Sequence, residues 1–279
     1  MRPPRFQIKT FGCRLNQAEA DTFAAQFEAR GWRAVGRARD ADAVLIHSCA
    51  VTRTAEQECL RLCRRLGRLA PPPFVVLSGC VPEAAAREAL AAAGASLIVP
   101  RAGRDALVDR VATACAPRIA DSTDPAAPPR RTRPFLRVQD GCDFFCAYCI
   151  VPHTRGRPVS RPFAQCLDEA RALIASGARE IVIAGCNTAR YNDGGRRLPD
   201  LLRALAALPG IGRLRIGSVE PGTVEREIAD LMAESPVLCR QLHLPLQSGD
   251  DAVLRAMGRR YTTAAFRAAA EYALARVPG

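Results

Sequence analysis

The chain has 279 residues, 48% hydrophobic and 24% charged, with a net charge of +12 carried almost wholly by arginine, since Lys9 is the only lysine. That length and apolar content exclude a disordered chain and allow two modest domains, each with its own core. No apolar run of about 18 residues occurs and the N-terminal MRPPRFQIKTFGC has no signal core, so the expected setting is the cytoplasm, with no membrane partner.

Twelve cysteines in such a chain favour metal binding or thiol chemistry over disulfides. The arginine excess favours a polyanionic partner such as nucleic acid over a merely solubilising surface.

In chain order, RFQIKTFG reads as a strand and NQAEADTFAAQFEARG as a helix, with Asn16 as N-cap and Gly31 as its stop. ADAVLIHSC is a buried strand, TRTAEQECLRLCRRLGRLA a helix and PPFVVLSGC the next strand. PEAAAREALAAAG is a helix with Pro82 in its first turn. ASLIVP and GRDALVDRVATACA make a fourth strand–helix pair. This alternation predicts a parallel sheet covered by helices, a flavodoxin-like domain over residues 1–116. PRIADSTDPAAPPRRTRP, rich in Pro, Asp and Arg, predicts a linker over 117–133. A second β/α series fills 134–279, with strands expected in FLRVQ, AREIVIAG, RLRIGSVE and LCRQLHLPLQ. Four strands are too few for a closed eight-stranded barrel of about 250 residues, so a partial barrel is expected.

Two cysteine patterns carry chemistry. GCDFFCAYCI places Cys142, Cys146 and Cys149 just after the strand FLRVQ. The spacing also fits one face of a helix, but Gly141 and Pro152 bracket the stretch and favour a loop. Structural zinc is the rival, although it normally uses paired Cys-x-x-Cys arms and a fourth ligand. Three thiolates on an iron–sulfur cube leave one iron open, the arrangement a catalytic site needs. The second pattern is Cys13, Cys49 and Cys80, each just past the end of a predicted strand. Parallel strands deliver their C-terminal ends to one sheet edge, so these three converge although far apart in sequence. The remaining cysteines, Cys59, Cys63, Cys115, Cys166, Cys186 and Cys239, read as small buried apolar groups, with Cys186 at the active edge as the one to watch.

C-x-x-x-C-x-x-C after the first strand of a partial barrel resembles the radical S-adenosylmethionine signature. Two three-cysteine centres in this order resemble the methylthiotransferase family along nearly the whole chain. QDGCDFFCAYCIVPHTRGRPVSRP, SVEP and HLPLQSGDDAVLRAMGRRYT look like its radical-site and later barrel segments. FGCRLNQAE, VQDGC and SVEP together look most like the bacterial branch acting on threonylcarbamoyl-adenosine. The isopentenyl-adenosine branch and the ribosomal-protein aspartate branch use related wording.

The resemblance implies an α/β fold with a truncated radical-SAM barrel behind the N-terminal domain. It implies a 4Fe-4S cluster on Cys13, Cys49 and Cys80 that holds sulfur, and another on Cys142, Cys146 and Cys149 that cleaves S-adenosylmethionine. The methylthio group would be joined to C2 of an adenosine in the tRNA anticodon region. A reductant such as flavodoxin or ferredoxin and a sulfur donor complete the partners. Tyr148, Gly185, Ser218, Glu220 and Gln247 are the expected cofactor contacts, and Arg155 and Arg157 the expected contacts to RNA phosphate. The family ordinarily continues into further barrel strands and a small RNA-binding β-barrel, neither of which is expected before Gly279. An iron–sulfur electron carrier and an inactive RNA-binding relative are the readings of other classes.

Overall fold

The computed structural model describes residues 2–115 and 132–278, and the chain divides into two compact units, Met1–Pro129 and Arg130–Gly279. The linker expected over 117–133 lies almost wholly outside the described residues.

The first unit runs β1 (Arg5–Thr10), α1 (Arg14–Ala29), β2 (Arg33–Ala34), β3 (Ala43–Ser48), α2 (Arg53–Leu66), β4 (Phe74–Gly79), α3 (Val81–Ala84), α4 (Arg87–Ala91), β5 (Leu97–Ile98) and α5 (Leu107–Cys115). Its sheet has the order β2-β1-β3-β4-β5, and every pairing is parallel. All six residues of β3 are buried, as a central strand covered on both faces requires. One face packs Phe6, Leu45 and Val76 against Phe23 and Phe27 of α1 and Leu107 and Val111 of α5. The other packs Val44, Ile46, Val75 and Leu77 against Cys59, Leu60, Cys63 and Leu66 of α2.

Three details differ from the expectation. The short strand β2 adds a fifth member to the sheet. The helix expected after Cys80 is two pieces, because Ala85 and Ala86 take extended backbone between α3 and α4. Asn16 does not cap α1; it lies inside the helix, fully buried.

The second unit runs β6 (Phe135–Arg137), β7 (Gln139–Asp140), α6 (Val151–Arg155), β8 (Val159–Ser160), α7 (Phe163–Ala175), β9 (Glu180–Ala184), β10 (Asn192–Asp193), β11 (Arg196–Arg197), α8 (Leu198–Ala206), β12 (Arg213–Arg215), α9 (Glu225–Glu234), α10 (Asp251–Ala256) and α11 (Thr263–Arg276). Strands β6, β9 and β12 form a parallel sheet in the order β12-β9-β6. Its buried residues Leu136, Ile181, Ile183 and Leu214, with Ile216 just past β12, pack with Leu198, Leu201, Leu202 and Leu205 of α8 and with Ile228, Leu231 and Met232 of α9. The antiparallel pairs β7–β8 and β10–β11 are too short to leave a periodic signal.

The fourth expected strand, LCRQLHLPLQ, is not regular. It follows β12 through two parallel bridges, Leu214 to Leu238 and Ser218 to His243. Pro236 lies just before it and Pro245 within it, and each removes a ladder donor. No helix among the described residues is long and apolar enough to cross a membrane.

Candidate metal centres

The first unit brings Cys13, Cys49 and Cys80 to one edge. β1, β3 and β4 are neighbours in register, with Thr10 opposite His47 and Ser48 opposite Gly79, and each cysteine follows within three residues of its strand's end. Cys13 is exposed, while Cys49 and Cys80 are buried.

Backbone bonds tie these strand ends together. Phe11 N–H donates to His47 O at 2.9 Å, and Cys80 N–H to Ser48 O at 3.1 Å. The buried Asn16 amide joins two of the three turns, donating to Phe11 O at 2.9 Å and Ser48 O at 2.8 Å. The Ser48 hydroxyl accepts from Val81 N–H at 3.1 Å and donates to Ser78 O. At Gly12, φ is +88° and any Cβ would collide with the Cys49 side chain, so only glycine allows the Cys13 turn so close to Cys49.

In the second unit, Cys142, Cys146 and Cys149 lie on a loop between β7 and α6 and not on a helix, which disposes of the helical-stripe reading. The loop is fastened at both ends. Cys142 N–H donates to Gly156 O at 2.9 Å, Cys149 N–H to Cys146 O at 2.9 Å and Ala147 N–H to Met257 O at 3.0 Å. Phe145, between the first two cysteines, holds φ of +50°, a strained conformation for an aromatic residue of the kind that gathers at functional sites. Burial pushes the Cys149 thiol up, and the neighbouring Cys146 and Cys142 add to the shift.

Of the residues expected to contact a cofactor, Glu220 and Tyr148 meet at Arg259. Glu220, past β12, pairs with Arg259 at 2.5 Å. Burial pushes its carboxyl up, against the pull of Arg259. Arg259 also donates to the Tyr148 hydroxyl at 3.2 Å and to Cys146 Sγ at 3.3 Å. Tyr148 is half-exposed, and partial burial raises its phenol to about 12. Ser218 Oγ lies 2.8 Å from His243 Nδ1. Gln247 is exposed with φ of +66°, and its neighbour Leu246 accepts from the Tyr261 hydroxyl at 2.7 Å.

Two assignments change. Gly185 does not open space for a ligand: a Cβ there would lie 3.0 Å from Thr188 Cγ2 and 3.1 Å from Gln139 Oε1, so the missing side chain admits protein atoms. Arg155 is not a surface cation. It is 2% exposed and pairs with Asp140 at 2.9 Å, whereas Arg157 is exposed. Cys186 aims its thiol at the Asp140 carboxylate, 3.4 Å away, and burial followed by that carboxylate drives it well up.

Two residues escaped the sequence reading. Arg259 stands in HLPLQSGDDAVLRAMGRRYT, which reads only as a later barrel segment. Asn187 sits beside Gly185 in the same AGCN segment; it is buried, its Nδ2 lies 3.8 Å from Cys142 Sγ, and its Oδ1 has no hydrogen-bond partner. A buried amide acceptor left open beside a cysteine loop is an incomplete site.

The donor sets fit iron–sulfur clusters. Both are all-thiol, the soft ligands such clusters take, and in the second unit Arg259 and Asn187 point N–H groups at two of the sulfurs. Among the described residues no group of three His, Cys, Asp or Glu side chains is placed to hold a metal ion. A cube spreads its thiolates over separate irons.

Two family models match the chain. Residues 136–279 match the model of the radical SAM superfamily, and residues 5–99 match a family described as uncharacterized protein family UPF0004. A tRNA-2-methylthio-N(6)-dimethylallyladenosine synthase of Novosphingobium aromaticivorans is 36% identical over 96% of the chain and 65% of its own length. The threonylcarbamoyladenosine tRNA methylthiotransferase MtaB of Chlamydia pneumoniae is 34% identical over 94% of the chain and 62% of its own length. The chain thus spans less than two thirds of these relatives. Among solved structures, the radical S-adenosylmethionine methyltransferase TsrM of Kitasatospora setae has a TM-score of 0.67 at 16% identity, covering 98% of the chain and 66% of TsrM, a likeness of fold. The chain therefore belongs to the radical SAM superfamily.

Proposed function

We propose that the chain is the two-centre portion of a tRNA methylthiotransferase, joining a methylthio group to C2 of an N6-modified adenosine beside the anticodon. The observation that carries this reading is the pairing of two all-cysteine sites: Cys13, Cys49 and Cys80 at adjacent parallel strand ends, and Cys142, Cys146 and Cys149 on one loop after β7. When bound, the cluster on the second set supplies the electron that cleaves S-adenosylmethionine, and the cluster on the first supplies the sulfur.

The chain's own residues bind and orient. Asn187 Oδ1, an acceptor without a partner beside Cys142, suits the ammonium of S-adenosylmethionine. Ser218 and Glu220, past β12, and Tyr148 on the loop itself would offer polar groups to its ribose and adenine. Gln247, with its left-handed backbone, is a further candidate contact. Such groups act by holding reactants in place. A low-potential one-electron protein such as flavodoxin or ferredoxin and a sulfur donor are the implied partners. Arg157 is the retained contact to RNA phosphate.

Two substrates compete. The wording of FGCRLNQAE, VQDGC and SVEP favours threonylcarbamoyl-adenosine, while the names of several relatives favour dimethylallyl-adenosine. One experiment addresses function and substrate together. The protein is purified without oxygen, reconstituted and assayed for iron, with about eight expected per chain for two cubes. Reductant, S-adenosylmethionine and tRNA bearing one or the other N6 group are then added. The expected products are 5′-deoxyadenosine and a methylthio nucleoside from the threonylcarbamoyl tRNA. Methylthiolation of the dimethylallyl tRNA alone reassigns the substrate. Two clusters without 5′-deoxyadenosine turn the reading to an electron carrier.

A further inference from the structure

The segment Met257–Tyr261, between α10 and α11, docks on the cysteine loop at every step. Met257 O accepts from Ala147 N–H at 3.0 Å. Gly258, with φ of +73°, passes so close that its Cβ position lies 3.8 Å from the Cys146 Cα. Arg260 donates to Asp143 O at 3.2 Å and lies over the Phe144 ring at 4.1 Å. Tyr261 anchors the segment from behind through Pro245 O and Leu246 O, both at 2.7 Å.

Within this clasp Arg259 has the most constrained side chain. It is 4% exposed. Its Nε lies 3.2 Å from the Tyr261 hydroxyl, one terminal nitrogen 3.3 Å from Cys146 Sγ, and the other 2.5 Å from Glu220. A planar guanidinium has a fixed fork of donors, so fastening two of its corners aims the third.

We propose that Arg259 is a positioning residue that donates a charged hydrogen bond to the Cys146 thiolate and thereby raises the reduction potential of the cluster at Cys142, Cys146 and Cys149, with Glu220 setting how much of its charge the sulfur feels. The inference rests on the proposed presence of that cluster. The physical reason is charge. The cluster gains one electron from the external reductant, with no proton transferred, and becomes more negative. A nearby cation and an N–H to the sulfur favour the reduced form, and hydrogen bonds to the sulfurs are among the factors that set such potentials. A buried site screens these charges poorly, so a single pair acts strongly.

The test uses the full chain with Cys13, Cys49 and Cys80 replaced by Ala, reconstituted without oxygen so that only one cluster is visible. The midpoint is read by electron paramagnetic resonance during titration with dithionite, without S-adenosylmethionine. Arg259→Gln is expected to lower the reduced-to-oxidised ratio about tenfold at fixed potential, a shift of about 59 mV downward for one electron. Glu220→Gln leaves the arginine charge uncompensated and is expected to move the midpoint upward. Arg259→Lys keeps the charge and is expected to restore most of the loss. Opposite signs for Arg259→Gln and Glu220→Gln support the proposal, because a general loosening of the loop would move both the same way. An unmoved midpoint in Arg259→Gln, or shifts of one sign, overturns it while leaving the functional reading intact. If Arg259→Gln binds no cluster, the direction of the Glu220→Gln shift decides. If the parent holds no iron, the functional reading falls and the inference with it.

Discussion

Gly141 precedes the cysteine loop with φ of +72°, and a Cβ there would collide with the carbonyl oxygens of Gly156 and Arg157. The Gly156 carbonyl cannot retreat easily, since it already accepts from Cys142 N–H. Gly141→Ala is therefore expected to cost at least the ~1–3 kcal/mol of a strained left-handed residue and to displace Cys142. Iron bound by the second unit should fall, while iron retained after Cys142, Cys146 and Cys149 are replaced should not change. Arg155 makes the opposite point. From the sequence HTRGRP, Arg155 and Arg157 are indistinguishable basic residues. Folding buries one against Asp140 and leaves the other in solvent, and no local pattern foretells which. Removing one member of a buried ion pair costs roughly 3–5 kcal/mol, so Arg155→Ala should lower the denaturant midpoint of the second unit, and Arg157→Ala should leave it unchanged. Asn16 was legible as important but misassigned: an asparagine near a helix start reads as a cap, while its bonds to Phe11 and Ser48 depend on a strand 32 residues away.

The elements themselves were largely legible where periodicity was long. β3 and α2 carry strong patterns because each has to meet a buried face. What the pattern missed were pieces of two residues, such as β2 and the β7–β8 pair, and a strand, Leu238 onward, whose prolines leave only two bridges. Helix α2 also bears a prediction. Its Cys59 and Cys63 face the core and are fully buried. Burial raises Cys59 from 9.0 to about 12 and Cys63 from 9.0 to about 11. Since the thiolate is the nucleophile, iodoacetamide at about pH 8 should leave both unmodified in the folded apo-protein while labelling the exposed Cys13, as peptide mass spectrometry would record. The sign for stability follows from proton binding. Both states hold the proton below about 9; above it the unfolded chain ionises first, so the folded state is favoured less as pH rises from 9 through 11 and 12. Thermal midpoints should therefore decline on the alkaline side of 9, and a Cys63→Ala variant should show a shallower decline.

At the scale of the whole molecule, a net charge of +12 favours a polyanionic partner such as the proposed tRNA. Many arginines are not available for that purpose. Arg104 and Arg155 are buried against carboxylates, and Arg197 and Arg215 are paired with Glu227 and Glu180. Arg157 is exposed beside the cysteine loop, where an RNA backbone entering the site would pass. Each phosphate neutralised releases counterions, so the logarithm of the affinity falls linearly with the logarithm of salt, by about 0.7–0.9 per contact. Binding of tRNA to the chain, followed by fluorescence anisotropy between about 50 and 200 mM KCl, should weaken along such a line. Arg157→Ala should reduce the slope by about one contact and weaken binding equally for tRNAs that differ only at the N6 group. A slope unchanged in Arg157→Ala would remove this residue from the RNA surface. A loss confined to one N6 group would instead place it at the base, because phosphate contacts position the RNA without reading it.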